Sequence, residues 1–454
     1  MVFGCSTRTV AKVDQVNSVV VKKKVRFNPI NNIDIMFVVD NSISMGDEQA
    51  FLRRDFPRFL ESLTENRALR PNIHVGVIST DVAIGDLEQC EGDDGKLQHG
   101  NGDCGFGPEP YLFDVANEES LSRDVNFSGS ITDAFSCAAD LGVEGCGFEQ
   151  PLRSMQIALD GNGYNQGFLR EDAFLAIVFI TDEDDCSSEQ ELFFSDPTAD
   201  LSSELGPLKS FRCFEHGVTC GEDDLRSEGL KSSCDALDSS RFMTPISSYV
   251  DFLENLKGDL SLVMTAAISG PVNRDVFVSA EVDALGNDFS KVSKTCTTNE
   301  SDPNAGAVSP YRLARFIDAT SPLASPLKSI CSNGLEEPLD EIASSFGEVF
   351  DACLPGELMD SELSLEGIQP ECAVTDASTD GNGTNEVVIP KCELGELPCW
   401  FVITNIENCG DFPSELSLEL CRGADSDHIN CPIGAEVETP LDTVTTIECV
   451  GSPK

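Results

Sequence analysis

The sequence predicts an α/β fold, a doubly wound and mainly parallel sheet flanked by helices, followed by a small disulfide-stapled all-β domain. Three observations lead there. Short apolar runs bounded by polar loops recur at 35–39, 73–79, 174–181 and 260–268, the pattern of strands covered on both faces. Stretches with apolar residues at helical spacing separate them, so strand and helix alternate from 33 to 350. After Cys353-Leu354-Pro355, the residues Cys372, Cys392, Cys399, Cys409, Cys421, Cys431 and Cys449 punctuate a segment with no good helix. These shifts divide the chain into an N-terminal tether (1–30), an α/β domain with insertions (31–352) and a Cys-rich β domain (353–454).

Composition narrows the chemistry. The 454 residues carry 79 acidic against 30 basic side chains, a formal net charge of -49. Such a surface repels phosphate, which argues against a nucleic-acid partner, and it attracts divalent cations. Four His make a His-rich zinc site a poor reading. The 19 Cys lack paired CxxC spacing, so they read as structural disulfides formed in an oxidising compartment. The count is odd, and Cys5 is the outlier, well ahead of the folded part. No stretch is long and apolar enough for a transmembrane helix. Val2-Phe3-Gly4-Cys5-Ser6 resembles the end of a bacterial lipoprotein signal. The expectation is that a signal lies upstream, that Cys5 carries lipid, and that residues 6–30 are a tether whose Lys22, Lys23, Lys24 and Arg26 face solvent or anionic headgroups. The alternative is a chance Gly-Cys.

The elements follow in order. After the strand at 33–39, Asp47-Glu48 open a helix to about Thr64, with Leu52, Phe56, Phe59, Leu60 and Leu63 on its buried face and Pro57 as an expected kink. The strand at 73–79 ends in Thr80-Asp81, and His74 within it reads as a packed histidine. Residues 84–110 form a polar, disulfide-pinned loop in which Glu91-Gly92-Asp93-Asp94 offers oxygens for Ca²⁺ without EF-hand spacing. A short edge strand at 111–115 and a helix at 129–141 follow. Residues 186–240 are a long insertion holding Cys186, Cys213, Cys220 and Cys234. A helix at 245–257 starts from Thr244 as cap, and amphipathic helices occupy 309–319 and 337–350. In the β domain the candidate strands are 387–389, 400–403, 416–420 and 444–449. Asp376-Ala377-Ser378-Thr379-Asp380-Gly381 imitates an EF-hand start but lacks the twelfth-position Glu, and reads as a hairpin tip.

The chemistry concentrates where the central strand ends. Asp34-Ile35-Met36-Phe37-Val38-Val39 runs into Asp40, and Ser42 and Ser44 follow at alternating positions. Ligands bind at the carboxyl ends of strands in open α/β sheets. A carboxylate and two hydroxyls with no basic residue among them make an oxygen cage for a hard cation, or else a cap for the next helix. Asp40-Asn41-Ser42-Ile43-Ser44 resembles the D-x-S-x-S signature of the von Willebrand factor A (VWA) domain, whose metal-ion-dependent adhesion site (MIDAS) begins this way. The likeness is to bacterial secreted and lipoprotein members of that family and spans roughly residues 30–350.

The resemblance implies two further metal loops. The third matches: the apolar run at 174–181 ends in Thr181-Asp182-Glu183-Asp184-Asp185, and Asp182 stands at the family's Asp position. Carboxylates this dense repel one another unless a cation or solvent separates them, and Asp184 and Asp185 read either as part of that cluster or as facing water. The second loop departs from the pattern, since no Thr or Ser lies between Leu141 and Leu152. Glu149 is the nearest oxygen donor, with Glu144 in reserve. Glu149 then either holds the metal or offsets the dipole of the following helix.

What the resemblance implies is a Mg²⁺ site, with Ca²⁺ or Mn²⁺ also accepting such ligands. Asp40, Ser42, Ser44 and Asp182 hold the ion, and an open coordination position takes an acidic side chain from a protein partner. The expected protein is extracytoplasmic, secreted or a surface lipoprotein of the outer membrane of a Gram-negative bacterium, and not an enzyme. Two alternatives stand beside it: a metal-dependent hydrolase, against which the chain has no HExxH or G-x-S-x-G, and a structural envelope protein with a vestigial metal site.

Overall fold

The structure is a computed structural model. It describes residues 19–25, 32–64, 71–117, 122–321 and 326–350, except 86, 88–89, 101–103, 162, 172, 197, 259, 298–304 and 333. Toward the C-terminus it describes 354, 358–361, 369–380, 383–392, 397–404, 416–422 and 444–451. Two compact units emerge, one from Ile30 to Gly347, the other combining Met1–Pro29 with Glu348–Lys454.

In chain order the first strand, β1 (Val19–Val25), belongs to the second unit. The α/β unit then runs through β2 (Asn32–Val39), α1 (Gly46–Thr64), β3 (Asn72–Ser79), β4 (Leu112–Asn117) and β5 (Ser122–Val125). It continues with α2 (Ile131–Ala138), α3 (Pro151–Leu159), β6 (Phe174–Ile180), α4 (Phe211–Gly217) and the short strands β7 (Val218–Thr219), β8 (Gly229–Lys231) and β9 (Asp235–Ala236). The helix α5 (Ile246–Lys257) leads to β10 (Val263–Ser269), the hairpin β11 (Val276–Val282) and β12 (Asp288–Val292), α6 (Tyr311–Thr320), β13 (Leu327–Ser329) and α7 (Glu336–Phe350).

The main sheet has seven strands in the order β13-β10-β6-β2-β3-β4-β5. The pairs from β13 to β3 are parallel, and β4 and β5 close one edge antiparallel. The predicted doubly wound, mainly parallel sheet is thus present. β2 and β6 are buried almost end to end, as their uninterrupted apolar runs require. Successive side chains of β2 alternate between faces. Phe37 meets Phe56 and Phe59 of α1 and Phe135 of α2. Met36 and Val38 enter the opposite layer with Leu152 and Met155 of α3, Tyr249 and Leu253 of α5, and Phe316 of α6. The chain leaves β2 toward β3 on one side and returns to β6 on the other. Strand order therefore reverses at β2, the position at whose carboxyl end open α/β sheets bind ligands.

Several local expectations change. α1 runs from Gly46 to Thr64 with Pro57 inside it and is not ended there. Thr244 does not cap α5, whose start is preceded by Pro245 with no side-chain cap bond; Asp238 accepts the Ile246 amide instead. The strand expected from Leu260 begins at Val263, because Leu260–Leu262 form a 3-10 turn. Asp93 and Asp94 are absorbed in loop structure, accepting from the Ser79 hydroxyl at 2.6 Å and the Ala83 amide at 3.0 Å. His74 is packed as expected, its Nδ1 2.8 Å from the Phe168 carbonyl.

The second unit adds β14 (Cys372–Asp380), β15 (Gly383–Ile389), β16 (Cys399–Thr404), β17 (Leu416–Cys421) and β18 (Val444–Gly451) to β1. They form a four-stranded antiparallel sheet, β1-β18-β14-β15, and a two-stranded sheet, β16-β17. Val374, Ile389, Trp400, Leu418 and Ile447 form its core, with Cys372–Cys449 and Cys392–Cys399 as disulfides. Two readings are corrected here. Residues 19–25 are not tether but a strand paired along its whole length with β18; the β-branched Val19, Val20, Val21 and Val25 outweigh the three lysines between them. The stretch 376–381 does reach a hairpin turn, since Asp380 pairs with Gly383 of β15, but Asp376 itself lies within β14, where it accepts from Arg422 at 2.9 Å and from the Thr445 hydroxyl at 2.5 Å. Cys5, Cys353, Cys409 and Cys431 lie outside the described residues, so the lipidation expected at Cys5 is not addressed by the fold.

Candidate metal centre

Three loops meet at the carboxyl ends of β2, β3 and β6. The Asp40 amide donates to the Ile180 carbonyl at 2.9 Å, and the Thr80 amide to Val39 at 3.2 Å, so the three strand ends are level. Asp40 is fully buried and Ser42 nearly so, while Ser44 is exposed. The Ser42 amide donates to Asp40 Oδ1 at 2.8 Å, and the Thr181 hydroxyl to Asp40 Oδ2 at 2.7 Å. The Ser42 and Ser44 hydroxyls are 3.1 Å apart, and Ser44 donates to Asp182 Oδ1 at 3.2 Å. One hydrogen-bonded chain therefore joins Ser42, Ser44 and Asp182, with Asp40 beneath. Ser42 makes no side-chain cap bond to the 3-10 turn that follows it.

The second loop is drawn into the same cluster. The Gln49 amide donates to the Asp40 carbonyl at 3.0 Å and to Gly142 at 2.8 Å, and its oxygen accepts from Leu141 at 3.2 Å. The Gly145 amide donates to Asn41 at 2.9 Å. Glu149 is 1% exposed and accepts a hydrogen bond from Thr80 through Oε2. Its Oε1, like Asn41 Oδ1 and Asp81 Oδ1, is buried with no hydrogen-bond partner among the described residues. Glu144, the reserve donor, is exposed. Among the described residues, the one grouping of three or more acidic, His or Cys ligand atoms within 4.8 Å is Cys392, Cys399 and Cys421, all disulfide-bonded and so not thiolate ligands. The carboxylate oxygens of Asp40, Asp182 and Glu149 thus do not all lie within 4.8 Å of one another. Glu149 is held by Thr80.

The electrostatics are those of carboxylates crowded without enough counter-charge. Burial, then the charge of Asp182, pushes Asp40 up to about 6. Burial with Asp182 and Asp40 raises Glu183 to about 8, against the opposing pull of Lys294 and Lys291. Burial with Asp40 and Glu183 raises Glu149 well above the ordinary carboxylate range. A cation with oxygen preference fits this donor set on three counts: two carboxylates, two hydroxyls bridging them, and buried oxygens left without partners.

The rest of the acidic run is structural. Asp185 is fully buried and accepts from Arg312 Nε at 3.0 Å, also fully buried. Asp184 accepts the Arg312 amide at 3.0 Å and the Leu313 amide at 3.2 Å at the start of α6. Asp185 does not face water, so that expectation is corrected for it, and half-buried Asp184 is held by the two amides; together they clamp the third loop to α6.

Sequence reading missed Thr80, Thr181, Gln49, Glu183 and Lys294. Thr181 and Glu183 flank Asp182 and were within reach of the motif. Lys294 was not, because it arrives with β11–β12, a hairpin left unassigned although Val276 to Val282 alternates and Asp283-Ala284-Leu285-Gly286-Asn287 is a turn sequence. Its Nζ lies 3.2 Å from Asp182 Oδ2 and donates to the Gly306 carbonyl. Two disulfides buttress the loops: Cys90–Cys146 ties the 84–110 insertion to the second loop, and Cys186–Cys213 ties the long insertion to the third. Arg212, buried in that insertion, donates to the carbonyls of Leu192 at 2.6 Å, Phe194 at 3.0 Å, Gly206 at 2.7 Å and Pro207 at 3.1 Å.

No protein-family model matches the sequence, and no curated protein matches it. Among solved structures the chain is similar to the pilus adhesin SpaC from Lactobacillus rhamnosus GG, at 12% identity and TM-score 0.32 over 95% of this chain and 41% of that one. It is similar to a von Willebrand factor type A protein from Catenulispora acidiphila, at 11% identity and TM-score 0.30 over 97% and 62%. It is also similar to the pilus adhesin RrgA from Streptococcus pneumoniae, at 10% identity and TM-score 0.28 over 95% and 58%. The chain spans between 41% and 62% of the length of these three proteins.

Proposed function

We propose that this is an extracytoplasmic binding protein that uses a divalent cation to engage an acidic side chain of a protein partner. The cation, Mg²⁺ with Ca²⁺ or Mn²⁺ as alternatives, is held by Asp40, Ser42, Ser44 and Asp182. Glu149 on Thr80 and the orphaned Asn41 Oδ1 line the floor. A hard cation with few protein ligands keeps coordination positions open and recruits an oxygen from outside. It also lets a chain of net charge -49 accept an anionic group. The observation that carries this reading is the hydrogen-bonded chain from Ser42 through Ser44 to Asp182 above the buried Asp40. The seven described disulfides suit an oxidising compartment. A surface lipoprotein or secreted protein of a Gram-negative envelope, adhesive in role, is the setting in which such a site is useful.

The test is binding of the chain to an array of Glu- and Asp-containing peptides with matched Gln and Asn controls, in Mg²⁺ and in EDTA. Cation-dependent capture of acidic peptides, lost in Asp182→Ala, supports the reading. Capture indifferent to EDTA refutes it, and turnover of the peptides would favour the hydrolase alternative. A second reading, a structural envelope protein with a vestigial site, draws on one observation: the ammonium of Lys294 already neutralises Asp182.

A further inference from the structure

Lys294 reaches the metal loops from outside the motif. It follows β12, and the segment it opens lies along the third loop: the Val308 amide donates to the Asp182 carbonyl at 3.0 Å, and Thr295 pairs with Ala307 at 2.7 Å. The Lys294 side chain is 26% exposed, its partner Asp182 only 4%. The ammonium thus supplies positive charge to the carboxylate that the proposed cation also needs. The two cannot share Asp182 without repulsion, because a monovalent and a divalent cation a few ångströms apart repel strongly in a partly buried setting.

The surroundings give the ammonium somewhere to go. A cavity of about 220 Å³ adjoins the site, bounded by Glu183 and Lys294 on the metal side. Lys209, Lys291, Phe211 and Phe289 also line it, and the Lys209 ammonium lies 5.0 Å from the Phe289 ring centroid. A lysine side chain has four rotatable carbons and a compact, well-hydrated head. Rotation about its side-chain bonds turns the head from Asp182 toward this space, which Glu183 also lines.

We infer that Lys294 is a built-in counter-ion of the metal site, seated on Asp182 when no cation is bound and displaced into the adjoining cavity when one binds. It sets how tightly the site takes a cation. This inference rests on the proposed metal site, and the following experiment separates the two.

Mg²⁺ is titrated calorimetrically into metal-stripped full chain, Lys294→Met and Lys294→Arg. Lys294→Met is expected to bind about tenfold more tightly than the parent, and Lys294→Arg to remain weak. Equal affinity of all three, with binding abolished by Asp40→Ala, overturns the counter-ion role and leaves the metal site standing. Absence of saturable binding in every form overturns both. A second readout does not depend on variants folding alike: acetylation of Lys294 by acetic anhydride, measured by peptide mass spectrometry with and without Mg²⁺. Labelling that rises several-fold with Mg²⁺, relative to Lys96 as internal control, supports displacement. Unchanged labelling under saturating Mg²⁺ overturns it.

Discussion

Replacing Arg312 by Met tests how the loop after β6 is held. The Arg312 guanidinium is 1% exposed and Asp185 fully buried. Arg312 donates to Asp185 Oδ2 at 3.0 Å and to the Thr244 carbonyl at 2.8 Å. Met fills much of the aliphatic volume but supplies no donor. Asp185 keeps only the Leu152 amide, at 3.3 Å, and the Ser187 hydroxyl. Removing one partner of a buried ion pair leaves an uncompensated charge and costs about 3–5 kcal/mol. The lost bond to Thr244 is counted inside that range, since the same guanidinium makes both bonds. The assay is urea unfolding followed by circular dichroism at the helix band. Every described helix begins in the α/β unit, whereas Trp400, the single Trp, sits in the β unit and reports on that unit instead. The expected result is a loss of about 4 kcal/mol in the helix signal with the Trp400 fluorescence transition unmoved. The double variant Arg312→Met/Asp185→Asn is expected to recover a large part of it, because a neutral amide is cheaper to bury than an unpaired carboxylate. A loss under about 1 kcal/mol, or a double variant as damaged as the sum of the singles, would refute the clamp.

Other expectations follow from the same geometry. Serine at both Cys90 and Cys146 opens a 56-residue covalent loop and is expected to lower stability by about 4 kcal/mol on the chain-entropy model; denaturation of oxidised parent and variant measures it. Gly145→Ala places a Cβ about 2.2 Å from Asn41 Oδ1, so it is expected to push the first and second metal loops apart and weaken Mg²⁺ binding with the helix signal retained; unchanged affinity in calorimetry would count against the loop contact. Burial raises Asp34 and Asp40 to about 6 and Glu183 to about 8. Each then holds, in the folded state, a proton that the unfolded chain has already released, so its contribution to stability is present at low pH and disappears as pH rises through the folded value. The metal-free protein is therefore expected to have a lower urea midpoint at pH 8 than at pH 5, and a midpoint that rises instead would show these carboxylates ionised and paired.

The α/β architecture was legible because its strands carry unusually pure signals. Phe174 to Ile180 admits no polar residue and is buried throughout, so its central place follows from solvent exclusion alone. Asp40, Ser42, Ser44 and Asp182 were legible because strand ends in such a sheet converge by topology, whatever the insertions between them do. The remainder depended on long-range partners that no local pattern encodes. Glu149 takes its one hydrogen bond from Thr80, 69 residues earlier, and keeps Oε1 without a partner among the described residues. Asp185 looks solvated until Arg312 arrives from α6. Val19–Val25 reads as a basic linker until β18, at the other end of the sequence, supplies its hydrogen bonds. Lys294 carried no signal at all in a chain whose motif lies about 250 residues earlier in the numbering.

The most direct measurement is a calorimetric titration of Mg²⁺, and separately of Ca²⁺ and Mn²⁺, into metal-stripped protein with its disulfides intact, with Asp40→Ala alongside. Asp40 is the buried base of the site, bonded to Ser42 and Thr181. Saturable one-to-one binding in the parent and none in Asp40→Ala is the result the metal-centre account requires. No binding in the parent, or binding that survives Asp40→Ala in a folded variant, would contradict it and leave the motif as a feature of the fold alone.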